Sequence, residues 1–409
     1  MRIANNATAS TTPVSGTWGT DARHIYSKQQ AWSSDQSLFL LDNPVGALPV
    51  LSCSTAATSA RPTAAARASR AGIIAGTPDP AHPHELIGVP SSGRELYWYG
   101  VTACTKTRSW TLPITVSGFD SGEGNPSESG RFIALGHADS MFVLGMNSYP
   151  TTRVGRRCAI PPCSLNVVQP TTSRDIDWVS IPPSGRYVVI QYVGTSSADY
   201  GMVGVFDVDT TTLTITGPHT MAPSSPRASG YAARSNGWIL NFNHMDMAAN
   251  PYSGTDVRVG GAEGGTYSGR PVRIPLDTGA LAPLTKGSHE AYLWHASCRN
   301  VSRPGWAYLT YYKEDGKTLS DEVVAVRLDG SGSVERLCHT HSAASSCYRC
   351  QAHASPSPDG QHVVFASNWA QDCGSGCGSA TDIKDYIVRV SPQSDVTPPA
   401  RIQDLRSVE

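Results

Sequence analysis

Polar side chains that could do chemistry stand just before turns that recur along this chain. Six segments precede a glycine-containing turn, and each carries histidine, glutamine, arginine, asparagine or acidic residues. If the segments are equivalent, these side chains meet in one concavity: His84, Glu123, Asn125, Asp177, Arg227, His295, Arg299, Gln351 and His353. Titratable groups gathered in one concavity mark functional sites. The sequence therefore predicts a single polar funnel.

A second set of side chains recurs at one distance after the turn glycine. His137, Tyr192 and His244 each stand seven residues after the glycine of their own repeat, in three consecutive repeats. Equivalent positions of neighbouring repeats lie on one rim, and histidine exchanges protons near neutral pH. The alternative is that they are strand-end residues bonded to turn backbone.

A cysteine and histidine cluster lies apart from the funnel. Cys338, His341, Cys347 and Cys350 fall within thirteen residues, with His339 between them. Paired Cys-x-x-His and Cys-x-x-Cys spacing is typical of a closed tetrahedral zinc site, which would be structural because no coordination position stays open. The alternative is two disulfides, with Cys298 bonded to one of these cysteines and Cys53 bonded to Cys104.

The repeated unit itself predicts the fold. A polar turn with glycine precedes a strand of alternating apolar and aromatic residues in six copies, and a degenerate seventh copy spans 34–43. The turn glycines are Gly93, Gly130, Gly185, Gly237, Gly305 and Gly360. Glycine takes the positive φ that a tight hairpin needs. One four-stranded blade per copy gives an all-β, seven-bladed β-propeller over residues 21–394, after an N-terminal extension at 1–20. The polar funnel would lie on its axis.

Composition excludes some partners and suggests a compartment. Lys and Arg number 32 against 33 Asp and Glu, for a net charge of −1, so nothing favours nucleic acid. No apolar run is long enough to span a membrane. Two cysteine pairs close in sequence, Cys158 with Cys163 and Cys373 with Cys377, favour local disulfides. We expect a secreted monomer whose leader has been removed, because residues 1–20 lack the pattern of a signal peptide.

Several segments resemble a family of enzymes. QAHASPSPDGQHVVFASNW (351–369) resembles the last blade of oligogalacturonate lyases, with the SPDG turn of TolB-like propellers. GEGNPSESGRFIAL, DWVSIPPSGRYVV, FNHMDMA and WHASCRNVSRPGWAYL are similar to secreted propellers near those lyases and the ulvan lyases. The resemblance covers roughly residues 20–392. Residues 395–409 resemble the start of a fibronectin type III module.

The resemblance implies a metal site in the funnel. In oligogalacturonate lyases, histidine and glutamine side chains hold a divalent cation, usually manganese. By position this implies His289 or His295 with Gln351 and His353, for manganese or calcium. The chain departs from the family at Ser355, where a further histidine is common. Ulvan lyases use histidine, tyrosine and arginine instead, which implies His137, Tyr192, His244 and Arg227 as catalytic residues.

The function expected from these residues is a polysaccharide lyase that cleaves a uronic-acid polymer by β-elimination. Such an enzyme neutralises a carboxylate, removes the adjacent C5 proton and protonates the leaving oxygen. Substrate contacts would come from Arg299, Glu123, Asn125 and Asp177. The alternatives are a glycoside hydrolase with Glu123 and Asp177 as its acid/base pair, and a non-catalytic propeller that binds glycan or protein.

Overall fold

The computed structural model describes about three fifths of the chain. The described residues are 19–37, 39–41, 73–74, 79–90, 92–100, 105–112, 115–116, 125–137, 140–146, 158–159, 174–194, 202–223, 237–239, 245–265, 267, 269–287, 289–342, 350–369 and 383–390. They contain 24 β-strands arranged in six sheets. Within them, no helix has the length and apolar character needed to cross a lipid bilayer.

Three sheets come from the first half of the chain. Sheet 1 contains β2 (Ile73–Ile74), β3 (Glu85–Gly88), β4 (Glu95–Gly100) and β5 (Thr105–Thr111). Sheet 2 contains β6 (Phe132–His137), β7 (Ser140–Gly145) and β8 (Cys158–Ala159). Sheet 3 contains β9 (Arg174–Ser180), β10 (Tyr187–Gly194), β11 (Met202–Val208) and β12 (Ile215–Pro223). Each sheet is a run of antiparallel neighbours.

The other three sheets follow the same plan. Sheet 4 contains β13 (Gly237–Ile239), β14 (Asp246–Asn250), β15 (Thr255–Gly265), β16 (Pro271–Pro275) and β17 (Ala282–Pro283). Sheet 5 contains β18 (Leu293–Ser297), β19 (Trp306–Tyr311), β20 (Glu322–Arg327) and β21 (Val334–His339). Sheet 6 contains β22 (Ser355–Pro356), β23 (His362–Ser367), β24 (Ile383–Arg389) and, parallel to β24, β1 (Asp21–Ala22) from the other end of the chain.

The turn glycines behave as the sequence predicts. Five of the six have φ between 65° and 84°, and Gly237 begins β13. At Gly93 a side chain is excluded twice, by the left-handed backbone and by the carbonyl oxygen of Val116, which lies 2.1 Å from where a Cβ would stand. The strands after these turns alternate as expected, and in β4 every second residue is buried.

The core lies between consecutive sheets rather than within one. Separate apolar clusters join sheets 1 and 2, 2 and 3, 3 and 4, 4 and 5, and 5 and 6. Beyond sheet 6 the series continues with Trp32 and Phe39, which pack against Val364 and Ile387. His84 at the edge of sheet 1 then bonds Asp35 at 2.8 Å. This order of contacts confirms an all-β, propeller-like arrangement.

The prediction of seven blades is wrong. Five of the six sheets have four or more strands, and sheet 2 has three. The degenerate copy at 34–43 contributes one isolated bridge, between Trp32 and Phe39, and no sheet among the described residues. Its SDQSLFLLDN sequence lacks the turn glycine of the other copies. Gln36 stands where the other copies have glycine, and its φ of 61° is a left-handed conformation that is unfavourable for a residue with a side chain.

Candidate functional site

The candidate site lies where sheets 5 and 6 approach the axis of the ring. His295 belongs to β18, whose pairing with β19 shifts register between Leu293 and His295. Such a bulge re-aims the side chain that follows it. Gln351 and His353 stand just before β22, the first strand of sheet 6. Two consecutive sheets therefore bring His295 to Gln351, which is 56 positions away in the sequence, and to the neighbouring His353.

The three side chains form one compact cluster, which we call the axial site. Nε2 of His295 lies 2.7 Å from Oε1 of Gln351. Because that oxygen only accepts, Nε2 carries the proton in this arrangement. The ring centroids of His295 and His353 are 4.0 Å apart with 37° between their planes. Both histidines are fully buried and Gln351 is half-buried. The axial site is thus polar, shielded from water and tightly packed.

The start of the chain also enters the axial site, and sequence reasoning missed it. Tyr26 packs against both imidazoles, with centroid distances of 4.7 Å to His353 and 5.5 Å to His295. Lys28 is fully buried, and its ammonium lies 5.7 Å from the centre of the Tyr26 ring. A lysine side chain is almost never fully buried unless it is paired. The signal available in the sequence was the mixed run ARHIYSKQQAW (22–32), which follows no turn glycine.

Some of the predicted substrate residues have structural partners. Arg299 is buried and donates two bonds to Asp246, from Nε at 3.1 Å and from Nη2 at 2.9 Å. Asn125 is buried, and its backbone N–H donates to Ser180 Oγ at 2.9 Å, which joins sheets 2 and 3. His84 is exposed and bonded to Asp35 rather than placed in the funnel.

Other predicted residues cannot be placed by side chain. Glu123, Arg227, His244 and Cys347 lie outside the described residues, as does the segment 395–409. His137, Asp177 and Tyr192 belong to β6, β9 and β10, but only their backbones are described. His289, the alternative to His295, accepts a backbone bond from Thr318 at 3.0 Å.

The predicted zinc site is not supported. Cys350 is disulfide-bonded, so it cannot serve as a thiolate ligand, whereas Cys338 and Cys298 are free thiols. Burial, with the nearby carboxylates of Asp321 and Glu322, raises the pKa of the Cys338 thiol to about 12. His341 stacks on Trp369 with centroids 4.5 Å apart. In the described part of the chain, no group of three or more His, Cys, Asp or Glu residues is placed to hold a metal.

The axial site satisfies a weaker test for a divalent cation. Its donors would be two imidazoles and the amide oxygen of Gln351, two of which already converge to 2.7 Å. Imidazole nitrogen suits transition metals, whereas calcium takes oxygen ligands, so this donor set favours manganese over calcium. Ser355 does not substitute for the missing histidine, because its hydroxyl donates to the carbonyl of Gln29 at 3.1 Å. The residue types at the axial site are therefore ones that could hold a divalent cation.

Comparison with known proteins finds likeness in structure only. No family model matches the chain, and no curated protein matches it. An oligogalacturonate lyase from Vibrio parahaemolyticus is 12% identical with a TM-score of 0.48, over 95% of this chain and 97% of that one. An oligogalacturonate lyase in complex with manganese is 11% identical with a TM-score of 0.48, over 96% and 98%. The WD40 domain of Neurospora crassa Pan2 is 10% identical with a TM-score of 0.41, over 75% and 73%. The structural neighbours of this chain thus include oligogalacturonate lyases, at low sequence identity.

Proposed function

We propose that the axial site binds an acidic saccharide and cleaves it by β-elimination. The observation that carries the proposal is the buried convergence of His295, Gln351 and His353, three side chains of the kinds that hold a divalent cation. The sequence motifs around the same residues, which resemble those of uronate lyases, support it. The substrate class is a polymer or oligomer that contains uronic acid.

Each group would have a separate task. His295, Gln351 and His353 would hold the cation, which when bound neutralises the sugar carboxylate and so makes the neighbouring C5 proton more acidic. In the free protein Nε2 of His295 and Oε1 of Gln351 are bonded to each other, and a cation held by both would replace the proton between them. Burial lowers the local dielectric, so a charge placed here interacts strongly with the carboxylate.

Proton transfer is assigned to residues that follow the turn glycines. His244 or Tyr192 would remove the C5 proton and return one to the leaving oxygen, with His137 and Arg227 beside them. Glu123, Asn125 and Asp177 would contact sugar hydroxyls. Arg299 has a lesser claim to the substrate, because Asp246 already holds its guanidinium. The enzyme would act outside the cell, where such polymers occur.

The test is an incubation with polygalacturonate and with an ulvan-type polymer, followed by the ultraviolet absorbance of the unsaturated product. We expect absorbance to rise with one of them, to disappear with EDTA and to return with Mn²⁺. The His353→Ala variant should give none. If no uronate polymer yields the unsaturated product with Mn²⁺ present, the lyase proposal is wrong.

A second candidate function is saccharide binding without cleavage. The full burial of His295 and His353 favours it, because a substrate reaches neither imidazole without movement of the groups that cover them. Equilibrium binding of the same polymers, measured by calorimetry, separates the two functions. Binding without product would assign the protein to this second class.

A further inference from the structure

The segment 23–30, which we call the N-terminal segment, lies across the inner ends of sheets 5 and 6. Ser297 of β18 donates to the carbonyl of Ser27 at 2.5 Å, and Ser355 of β22 donates to the carbonyl of Gln29 at 3.1 Å. The side-chain amide of Gln30 donates to the carbonyl of Arg299 at 2.8 Å. Residues more than 260 positions away therefore fix this segment at the axis.

Within the segment, Tyr26 is the residue that contacts the axial imidazoles. Its ring stands edge-on to His295, at 88° between planes, and lies tilted at 51° over His353. The ring is 6% exposed, so it fills space that water would otherwise enter. Aromatic pairs at these distances and angles are attractive and directional. One ring therefore contacts both imidazoles.

His24 holds the backbone of the same site. Its Nε2 lies 2.6 Å from the carbonyl oxygen of His353, and its Nδ1 lies 2.8 Å from Oδ1 of Asp385. His353 has φ of 47°, in the left-handed region that is unfavourable for a residue with a side chain. A donor on its carbonyl supports that conformation, which in turn directs the imidazole toward His295.

We propose that the N-terminal segment is a positioning element of the axial site, with Tyr26 as the positioning residue for His295 and His353. The proposal rests on the cation-binding half of the proposed function. In this role Tyr26 does not act by touching the substrate. Instead it sets the imidazole planes so that their nitrogen atoms and the Gln351 oxygen face one point. Partners of this kind change metal affinity by about 10- to 100-fold when removed.

The experiment compares three variants of Tyr26 in the full chain. Tyr26→Phe keeps the ring, whereas Tyr26→Leu and Tyr26→Met replace it with aliphatic volume, and the second of these adapts more easily to the gap. Binding of Mn²⁺ alone is followed by electron paramagnetic resonance. Tyr252→Leu serves as the matched control, because Tyr252 is 46% exposed and lies by the turn between β14 and β15. The melting temperature of each variant is measured in parallel.

We expect Tyr26→Phe and Tyr252→Leu to bind Mn²⁺ as the wild type does. Tyr26→Leu and Tyr26→Met should bind it at least tenfold more weakly while still unfolding cooperatively. Equal affinity in all variants would overturn the proposal. So would an equal loss in Tyr26→Phe, because that variant retains the packing on which the proposal depends.

Failure of the proposed function gives a different result. If the wild-type protein binds Mn²⁺ but cleaves no uronate, the lyase proposal is wrong and the comparison of the Tyr26 variants is still valid. If the wild type binds no Mn²⁺, the imidazole NMR signals of His295 and His353 decide. They should move in Tyr26→Leu and stay in Tyr26→Phe, because the ring current comes from the aromatic ring alone. Unmoved signals in Tyr26→Leu would refute the positioning role.

Discussion

Two pairs of histidines lie at the same end of sheet 5 and differ in almost everything else. His295 pairs with Thr310 at the end of β19, and His339 pairs with Glu322 at the start of β20. The axial pair, His295 and His353, is fully buried. The second pair, His339 and His341, we call the rim pair. It is more accessible, since His339 is exposed and His341 is half-buried.

The difference lies in what holds each pair. The rim pair depends on near neighbours, because Asp321 accepts bonds from Thr340 and from the backbone of His341, about twenty residues away. The axial pair depends on distant ones: His24 reaches His353 across 329 residues and Asp385 across 361. A polar group without water needs partners in fixed places, and a closed ring supplies them from both ends of the chain.

The largest effect on stability should come from the buried ion pair behind the axial site. Asp246→Ala leaves the Arg299 guanidinium buried without its carboxylate. Removing one partner of a buried pair costs about 3–5 kcal/mol. Unfolding in urea, followed by tryptophan fluorescence, measures this loss.

The matched control is Glu335→Ala, which removes the partner of Arg303 in a pair that is only partly buried. We expect it to cost about 1 kcal/mol or less. If the two variants lose the same stability, the expected difference between a buried and a partly buried ion pair is contradicted.

The second effect should separate the two histidine pairs by function. His353→Ala removes a donor from the axial site and should reduce Mn²⁺ binding and uronate cleavage at least 100-fold. It should also cost about 1–3 kcal/mol of stability, because the imidazole is packed on all sides. His341→Ala should leave both activities unchanged. Steady-state kinetics and metal titration check this pair, and an inactive His341→Ala would reverse the assignment.

Sequence reasoning found the parts of this molecule that repeat. The turn glycines, the alternating strands and the positions of His295, Gln351 and His353 all follow from a local pattern that recurs with each sheet. A β-propeller was therefore predictable. The number of blades was not, because a weak copy such as 34–43 keeps its apolar residues while it forms a single bridge.

The N-terminal segment could not be found in the same way. Tyr26 and Lys28 belong to no repeat, and the signal near them is only the mixed polar and aromatic run 22–32. Their place follows from ring closure, which brings β1 beside β24 and carries the next residues to the axis. The cysteine cluster failed for a related reason, since ligand spacing does not distinguish a thiolate from a disulfide sulfur such as that of Cys350.

A smaller effect concerns the thiol of Cys338. Because the pKa of Cys338 is raised to about 12, very little thiolate exists at pH 8, and the thiolate is the reactive form. We expect a maleimide to label Cys338 at least 100-fold more slowly in the native protein than in urea. Peptide mass spectrometry locates the label. Rapid labelling of the native protein would show that Cys338 is more accessible than the structure indicates.

The smallest effect compares two carboxyl groups through the pH dependence of stability. Burial raises the pKa of Asp256 above its ordinary 3.8, and bonds from Ser184 offset this only in part. Between pH 3.8 and the raised pKa of Asp256, the folded protein binds more protons than the unfolded one. The free energy of unfolding therefore falls as pH rises through that window. Asp256→Asn should make this fall shallower without abolishing it, because burial also raises the pKa values of Glu128, Glu290 and Asp321. Asp359 has the opposite sign, because bonds from Ser357 and Gln361 outweigh burial and lower its pKa. Its contribution is present above pH 3.8 and is lost as pH falls below it, so Asp359→Asn should flatten the acid limb instead. Urea unfolding at half-unit steps from pH 3 to 7 resolves the two slopes. A fall as steep in Asp256→Asn as in the wild type would contradict the contribution of Asp256.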